Sequence, residues 1–179
     1  MPLTLASQSP RRAKILAELG VDFTVLKTDA PEVSLPDEPE RTVVENARAK
    51  LSACACTPAL AADTIVWCGG RIYGKPRDLE EACAFLRTLA GRTHSVFTGV
   101  AYGDGTTVRT ACVRSDVTFR PLSEADIAAY VEAVHPTDRA GAYDIDDHGE
   151  MLVASYTGTY ENIMGLPVEP LRAWGLVAG

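Results

Sequence analysis

No apolar run in the chain approaches the about 18 residues that a membrane-spanning helix needs. No charged, apolar and small-residue leader opens it. The sequence therefore predicts a cytoplasmic protein with no membrane partner. Positive charge is also scarce: 17 Lys and Arg stand against 24 Asp and Glu, a formal net charge of −7. That argues against general binding to a nucleic acid polymer and leaves room for a local basic pocket around a small polyanion. The five cysteines (Cys54, Cys56, Cys68, Cys83 and Cys112) are an odd set without framework spacing, so reduced thiols are expected. Cys54-x-Cys56 has neither zinc nor redox spacing and reads as two small residues ending a helix. His94, His135 and His148 show no ligand spacing and are assigned solvated or core roles. A Gly-x-Ser-x-Gly elbow, a Walker A loop and a His-Glu-x-x-His helix are all missing, which sets aside three hydrolase chemistries. No internal repeat, low-complexity tract or dividing linker is visible.

What the chain does have is a core. It runs to 179 residues, 46% hydrophobic, enough for one domain or for two small lobes sharing one core. Leu5-Ala6-Ser7-Gln8-Ser9-Pro10-Arg11-Arg12 reads as a short strand ending in a hydroxyl-rich turn that opens a helix. Ser9 suits the N-cap and Pro10 the first helical position. Ala13, Ile15, Leu16 and Leu19 recur at helical spacing, and Gly20 can close the helix. Free N–H groups at a helix start suit an anion, and the guanidinium forks of Arg11 and Arg12 match phosphate oxygens.

Residues 22–27 read as a second strand, and 28–39 as an exposed polar loop carrying Glu32. Residues 40–54 read as a helix with Val44, Ala47, Leu51 and Cys54 on one face and Lys50 near its end. Ala59 to Trp67 is an apolar strand interrupted by Asp63-Thr64, where a carboxylate is costly unless paired or metal-bound. Gly74 is expected to allow close backbone approach beside Lys75, with Pro76 ending a short returning strand. Residues 78–90 form an amphipathic helix with Ala82, Phe85, Leu86 and Leu89 inward. Two long strands, 93–102 and 106–119, are joined by a turn at Gly103-Asp104-Gly105. Ser123 caps a helix that buries Ile127, Tyr130, Val131 and Val134. A dense acidic loop, 138–149, precedes a strand at 150–156 and a last helix reaching Leu171 and Trp174. Strands and helices mix without strict βαβ alternation, which predicts an α/β fold with a long, partly antiparallel sheet. The basic groups Arg11, Arg12, Lys50 and Lys75, with the isolated carboxylates Glu32 and Asp63, fit metal-assisted attack of water on a phosphate ester.

Ser7-Gln-Ser9-Pro10-Arg11-Arg12, Ala62-Asp63-Thr64, Gly74-Lys75-Pro76-Arg77-Asp78, Gly91-Arg-Thr-His94 with Thr98-Gly99-Val100, Asp138-Arg-Ala-Gly-Ala-Tyr143 and Gly165-Leu-Pro167 come in a known order and spacing. Over nearly its whole length the chain resembles the Maf family of nucleoside triphosphate pyrophosphatases. The resemblance implies hydrolysis between the α- and β-phosphates of a nucleoside triphosphate, with Mg²⁺ or Mn²⁺, giving a monophosphate and pyrophosphate. It implies one Maf-like domain over residues 1–179. Its fold would resemble inosine triphosphate pyrophosphatases: an elongated mixed sheet with flanking helices and two lobes around a cleft. A homodimer is usual for the family.

By position, Ser7, Ser9, Arg11 and Arg12 would hold phosphates, with Thr64 supporting the site. Glu32 and Asp63 would organise metal and water, Asp63 as general base, while Lys50 and Lys75 would stabilise charge on the phosphate chain and leaving pyrophosphate. Asp144, Asp146 and Asp147 depart from the family's usual Gly-Ile-Gln-Gly run. Asp146 is carried over as a substrate contact; if this loop touches substrate or metal, the change would alter nucleotide preference, add a metal ligand or repel phosphate, and otherwise it is a tolerated change in an exposed acidic loop. Ala142-Tyr143 and Asn162 look like the dTTP- and UTP-preferring group. The alternatives are a 7-methyl-GTP pyrophosphatase and a nucleotide-binding regulatory protein with weakened catalysis, the latter motivated by the acidic loop.

Overall fold

A computed structural model describes residues 1–179. The strands are β1 (Leu3–Leu5), β2 (Phe23–Val25), β3 (Ala59–Cys68), β4 (Arg71–Tyr73), β5 (Thr93–Gly103), β6 (Val108–Phe119) and β7 (Val153–Thr157). The helices are α1 (Pro10–Glu18), α2 (Pro39–Ser52), α3 (Leu79–Leu89), α4 (Glu124–Val134), α5 (Tyr160–Met164) and α6 (Val168–Ala173), with two 3₁₀ turns at Ala140–Ala142 and Gly149–Met151. The strands form one seven-stranded sheet in the order β2-β1-β3-β5-β6-β7, with β4 on β3. β1 pairs in parallel with β2 and β3, whereas β4 on β3 and β7 on β6 are antiparallel. This is the mixed α/β sheet that the sequence predicts. No helix is long and apolar enough to cross a membrane.

The chain divides into two compact units. The first comprises Met1–Thr64, Phe97–Val113 and Thr159–Gly179. Its core contains Leu5, Ile15, Leu16, Val43, Leu60, Val100, Leu166 and Leu171, all buried. β1 lies between two parallel neighbours, so all three of its residues are buried, as a strand covered on both faces requires. α1 starts at Pro10 as expected, but the Ser9 side chain makes no capping bond. The Ser9 N–H is instead bound by Ser7 Oγ at 3.2 Å.

The second unit comprises Ile65–Val96 and Arg114–Gly158. α3 buries Ala82, Phe85, Leu86 and Leu89, with Asp78 accepting the Glu81 N–H at its start. α4 carries a capping box between Ser123 and Asp126 and buries the four residues expected of it. His94, Phe119 and Tyr143 meet edge to face in its core.

Three expectations need correction. α2 buries Ala47 as expected, but with Thr42, Val43 and Asn46 beside it in place of Val44, Leu51 and Cys54. The polar members turn inward because they hold the preceding loop: Val33 N–H donates to Asn46 Oδ1 at 2.8 Å, and Leu35 N–H to Thr42 Oγ1 at 3.0 Å. The last helix, α6, opens after Pro167 as expected, but the segment leading into it holds a short helix of its own, α5, which ends at Gly165. At Gly74 a Cβ would meet nothing within 4 Å, so close approach is not what requires glycine there.

Candidate functional site

Arg12 lies on the first turn of α1, and its guanidinium is fixed from three sides. Nε donates to the Gly165 carbonyl at 2.7 Å, Nη1 to Ser7 Oγ at 3.0 Å and Nη2 to Thr64 Oγ1 at 3.1 Å. The acceptors come from the turn after β1, from β3 and from the end of α5. One N–H on each Nη is left for a ligand oxygen. Desolvation lowers the Arg12 pKa to about 10, opposed by the nearby charges of Asp63 and Glu32 and reinforced by that of Arg11. The guanidinium thus remains a cation at neutral pH, in reach of both carboxylates.

Asp63 is buried on β3. Its Oδ1 receives Lys50 Nζ at 2.7 Å, and its Oδ2 receives Asn46 Nδ2 at 3.0 Å. Lys50 Nζ also stands 3.1 Å from Glu32 Oε1. The pairing answers the cost that a carboxylate carries inside an apolar strand. Glu32 differs from Asp63 in being 59% exposed, so it is free to turn toward solvent or a ligand.

Asn46 escaped the sequence reading. It bonds Asp63 and also both backbone polar groups of Val33, so it ties the Glu32 loop to β3. The available signal was spacing: Thr42, Asn46 and Lys50 recur every fourth residue, which puts them on one helix face.

The structure therefore brings together Ser7, Arg12, Glu32, Lys50, Asp63 and Thr64, with Arg11 close enough to act on Arg12. Ser9 joins through its backbone N–H. Lys75 and Asp146 belong to the second unit, where both are exposed. In its acidic loop, Arg139 meets Asp144 at 3.4 Å, Asp147 at 3.2 Å and Asp138 at 2.9 Å. Asp144 Oδ1 also accepts the Asp146 N–H at 2.9 Å. Two of the departures from the family pattern, Asp144 and Asp147, thus face an arginine of the same loop.

These features define a mixed-sheet α/β protein whose first unit gathers an arginine, a lysine and two carboxylates into one cluster. The family model described as Maf-like protein matches residues 2–174. The chain belongs to the Maf family. It is 41% identical over 174 residues to a dTTP/UTP pyrophosphatase of Akkermansia muciniphila, covering 93% of this chain and 91% of that one. It is 44% identical over 172 residues to a dTTP/UTP pyrophosphatase of Escherichia coli strain K12, covering 93% of this chain and 87% of the relative.

Proposed function

We propose that the protein hydrolyses dTTP or UTP between the α- and β-phosphates, releasing a nucleoside monophosphate and pyrophosphate. The observation that carries this reading is the convergence of Asp63 and Glu32 on Lys50, within the electrostatic reach of Arg12. The relatives' names supply the nucleotides.

In this reading the two remaining Nη hydrogens of Arg12 bind phosphate oxygens, and Arg11 adds positive charge beside it. Asp63 takes a proton from the attacking water. The water oxygen forms a bond to the α-phosphorus, and the bond from that phosphorus to the bridging oxygen breaks. The electron pair leaves with pyrophosphate. Lys50 offsets the charge that develops on the phosphate chain.

A divalent cation, Mg²⁺ or Mn²⁺, is part of the proposal. No three His, Cys, Asp or Glu side chains gather into a cage. Two hard carboxylates do converge, however, and such cations are commonly held by one or two carboxylates, water and substrate phosphates. Glu32 and Asp63 would hold the ion, which supplies charge neutralisation for the phosphates.

The test is incubation with Mg²⁺ or Mn²⁺ and separate dTTP, UTP, CTP, 7-methyl-GTP and dITP, assaying pyrophosphate against orthophosphate. Pyrophosphate from dTTP or UTP, lost in Asp63→Asn and with a chelator, supports the reading. Orthophosphate as the primary product, or turnover unchanged in Asp63→Asn, overturns it.

A further inference from the structure

Thr98 is fully buried on β5. Its hydroxyl donates to the Asn162 carbonyl at 3.2 Å and lies 2.9 Å from Thr64 Oγ1. A hydroxyl has a single proton and two lone pairs. Because the Thr98 proton goes to Asn162, Thr98 meets Thr64 as an acceptor, and Thr64 is the donor between them. The Thr64 lone pairs are then presented to Arg12, whose guanidinium can only donate. Every bond in the chain Arg12, Thr64, Thr98, Asn162 therefore runs in the same direction.

Two glycines set this chain in place. A Cβ at Gly99 would stand 2.4 Å from the Val43 carbonyl carbon and oxygen, so β5 lies directly on the α2 backbone. Gly165, at φ +111°, would put a Cβ 3.2 Å from Thr64 Oγ1 and 3.5 Å from Arg12 Nε. Its bare backbone is what lets the Gly165 carbonyl reach that guanidinium.

We propose that Thr98 is a positioning residue: by ordering the Thr64 hydroxyl, it fixes the Arg12 guanidinium in its phosphate-binding orientation. The proposal rests on Arg12 being a phosphate ligand, as read above. Thr98 touches neither Arg12 nor the paired carboxylates by any hydrogen bond, so it acts through Thr64.

The experiment compares wild type, Thr98→Val, Thr98→Ser, Arg12→Lys and the Arg12→Lys/Thr98→Val double variant. Thr98→Ala replaces Thr98→Val if the latter does not fold. The first readout needs no activity: hydrogen exchange at Arg12 Nε in the free protein, by ¹⁵N NMR, the resonance assigned by its loss in Arg12→Lys. The second is kcat and KM for dTTP.

Loss of the hydroxyl is expected to speed Nε exchange about tenfold and raise KM about tenfold, with kcat changing less. Thr98→Ser restores both to within about twofold, since it keeps the hydroxyl. In the Arg12→Lys background the Thr98 change adds less than about twofold, as coupled residues require. Unchanged Nε exchange in Thr98→Val overturns the proposal whatever the activity. So do equal losses in the Ser and Val variants, or effects that multiply in the double variant. If exchange responds and serine rescues it while wild type turns over no nucleotide, the positioning role stands and the enzymatic reading falls.

Discussion

Lys50 Nζ lies 2.7 Å from Asp63 Oδ1 and links the C-terminal half of α2 to the middle of β3. The same ammonium reaches Glu32, which lies in the loop that Asn46 pins to the helix. One cation therefore gathers two carboxylates from segments far apart in sequence. Replacing Lys50 with Met keeps the stem and removes the charge, leaving the buried Asp63 carboxylate with the hydrogen bond from Asn46. Stability is expected to fall by about 2 kcal/mol, the scale of a lost hydrogen bond to a charged group. Urea unfolding checks that value, and kcat for dTTP is expected to fall about 100-fold in parallel.

Arg12→Lys tests the fork. A lysine keeps the charge but cannot meet Gly165, Ser7 and Thr64 while also presenting two N–H groups to phosphate. KM for the triphosphate is expected to rise at least about tenfold, since bidentate recognition is lost while charge is retained. Steady-state kinetics on wild type and variant decide it; an unchanged KM contradicts the phosphate role.

His94 makes stability depend on pH. It is 1% exposed, its Nε2 lies 2.7 Å from the Tyr143 hydroxyl, and its Nδ1 has no partner. Burial lowers its pKa to about 4, slightly opposed by Asp116. In the unfolded chain its pKa is about 6.5. Between those values the unfolded state holds a proton that the folded state lacks, so stability rises with pH. The contribution is complete above about pH 6.5 and is lost as pH falls toward 4, reaching about 3 kcal/mol. Urea midpoints from pH 7.5 to 4.5 are expected to decline, and to decline less in His94→Gln.

Gly99→Ala should damage the site from behind. The added Cβ meets backbone carbonyl atoms of Val43, which have no rotamer by which to yield. A loss of about 1–3 kcal/mol is expected, as for overpacking in a close-packed core. A thermal shift assay measures it, and a melting temperature equal to wild type contradicts the packing of β5 on α2.

Much of this fold is legible in the sequence because local patterns decide it. α3 and α4 carry caps and apolar spacing that agree with what they bury. The β3 carboxylate was equally visible, since Asp63 interrupts an apolar run and a charge there demands a partner. The inward face of α2 is not legible in the same way, because apolar periodicity ignores polar residues that turn inward, and Thr42 and Asn46 do so to bind a loop and Asp63. The acidic loop was visible as a departure, but not its pairing with Arg139, which depends on the turn geometry of residues 138–147.

The most direct measurement of the central claim is hydrolysis of dTTP in ¹⁸O-labelled water with Mg²⁺ present, followed by mass spectrometry of both products. Attack on the α-phosphorus puts the label in the nucleoside monophosphate and leaves pyrophosphate unlabelled, which is the expected result. Label in pyrophosphate or orthophosphate, with an unlabelled nucleotide product, would contradict the reaction assigned to Asp63, Lys50 and Arg12.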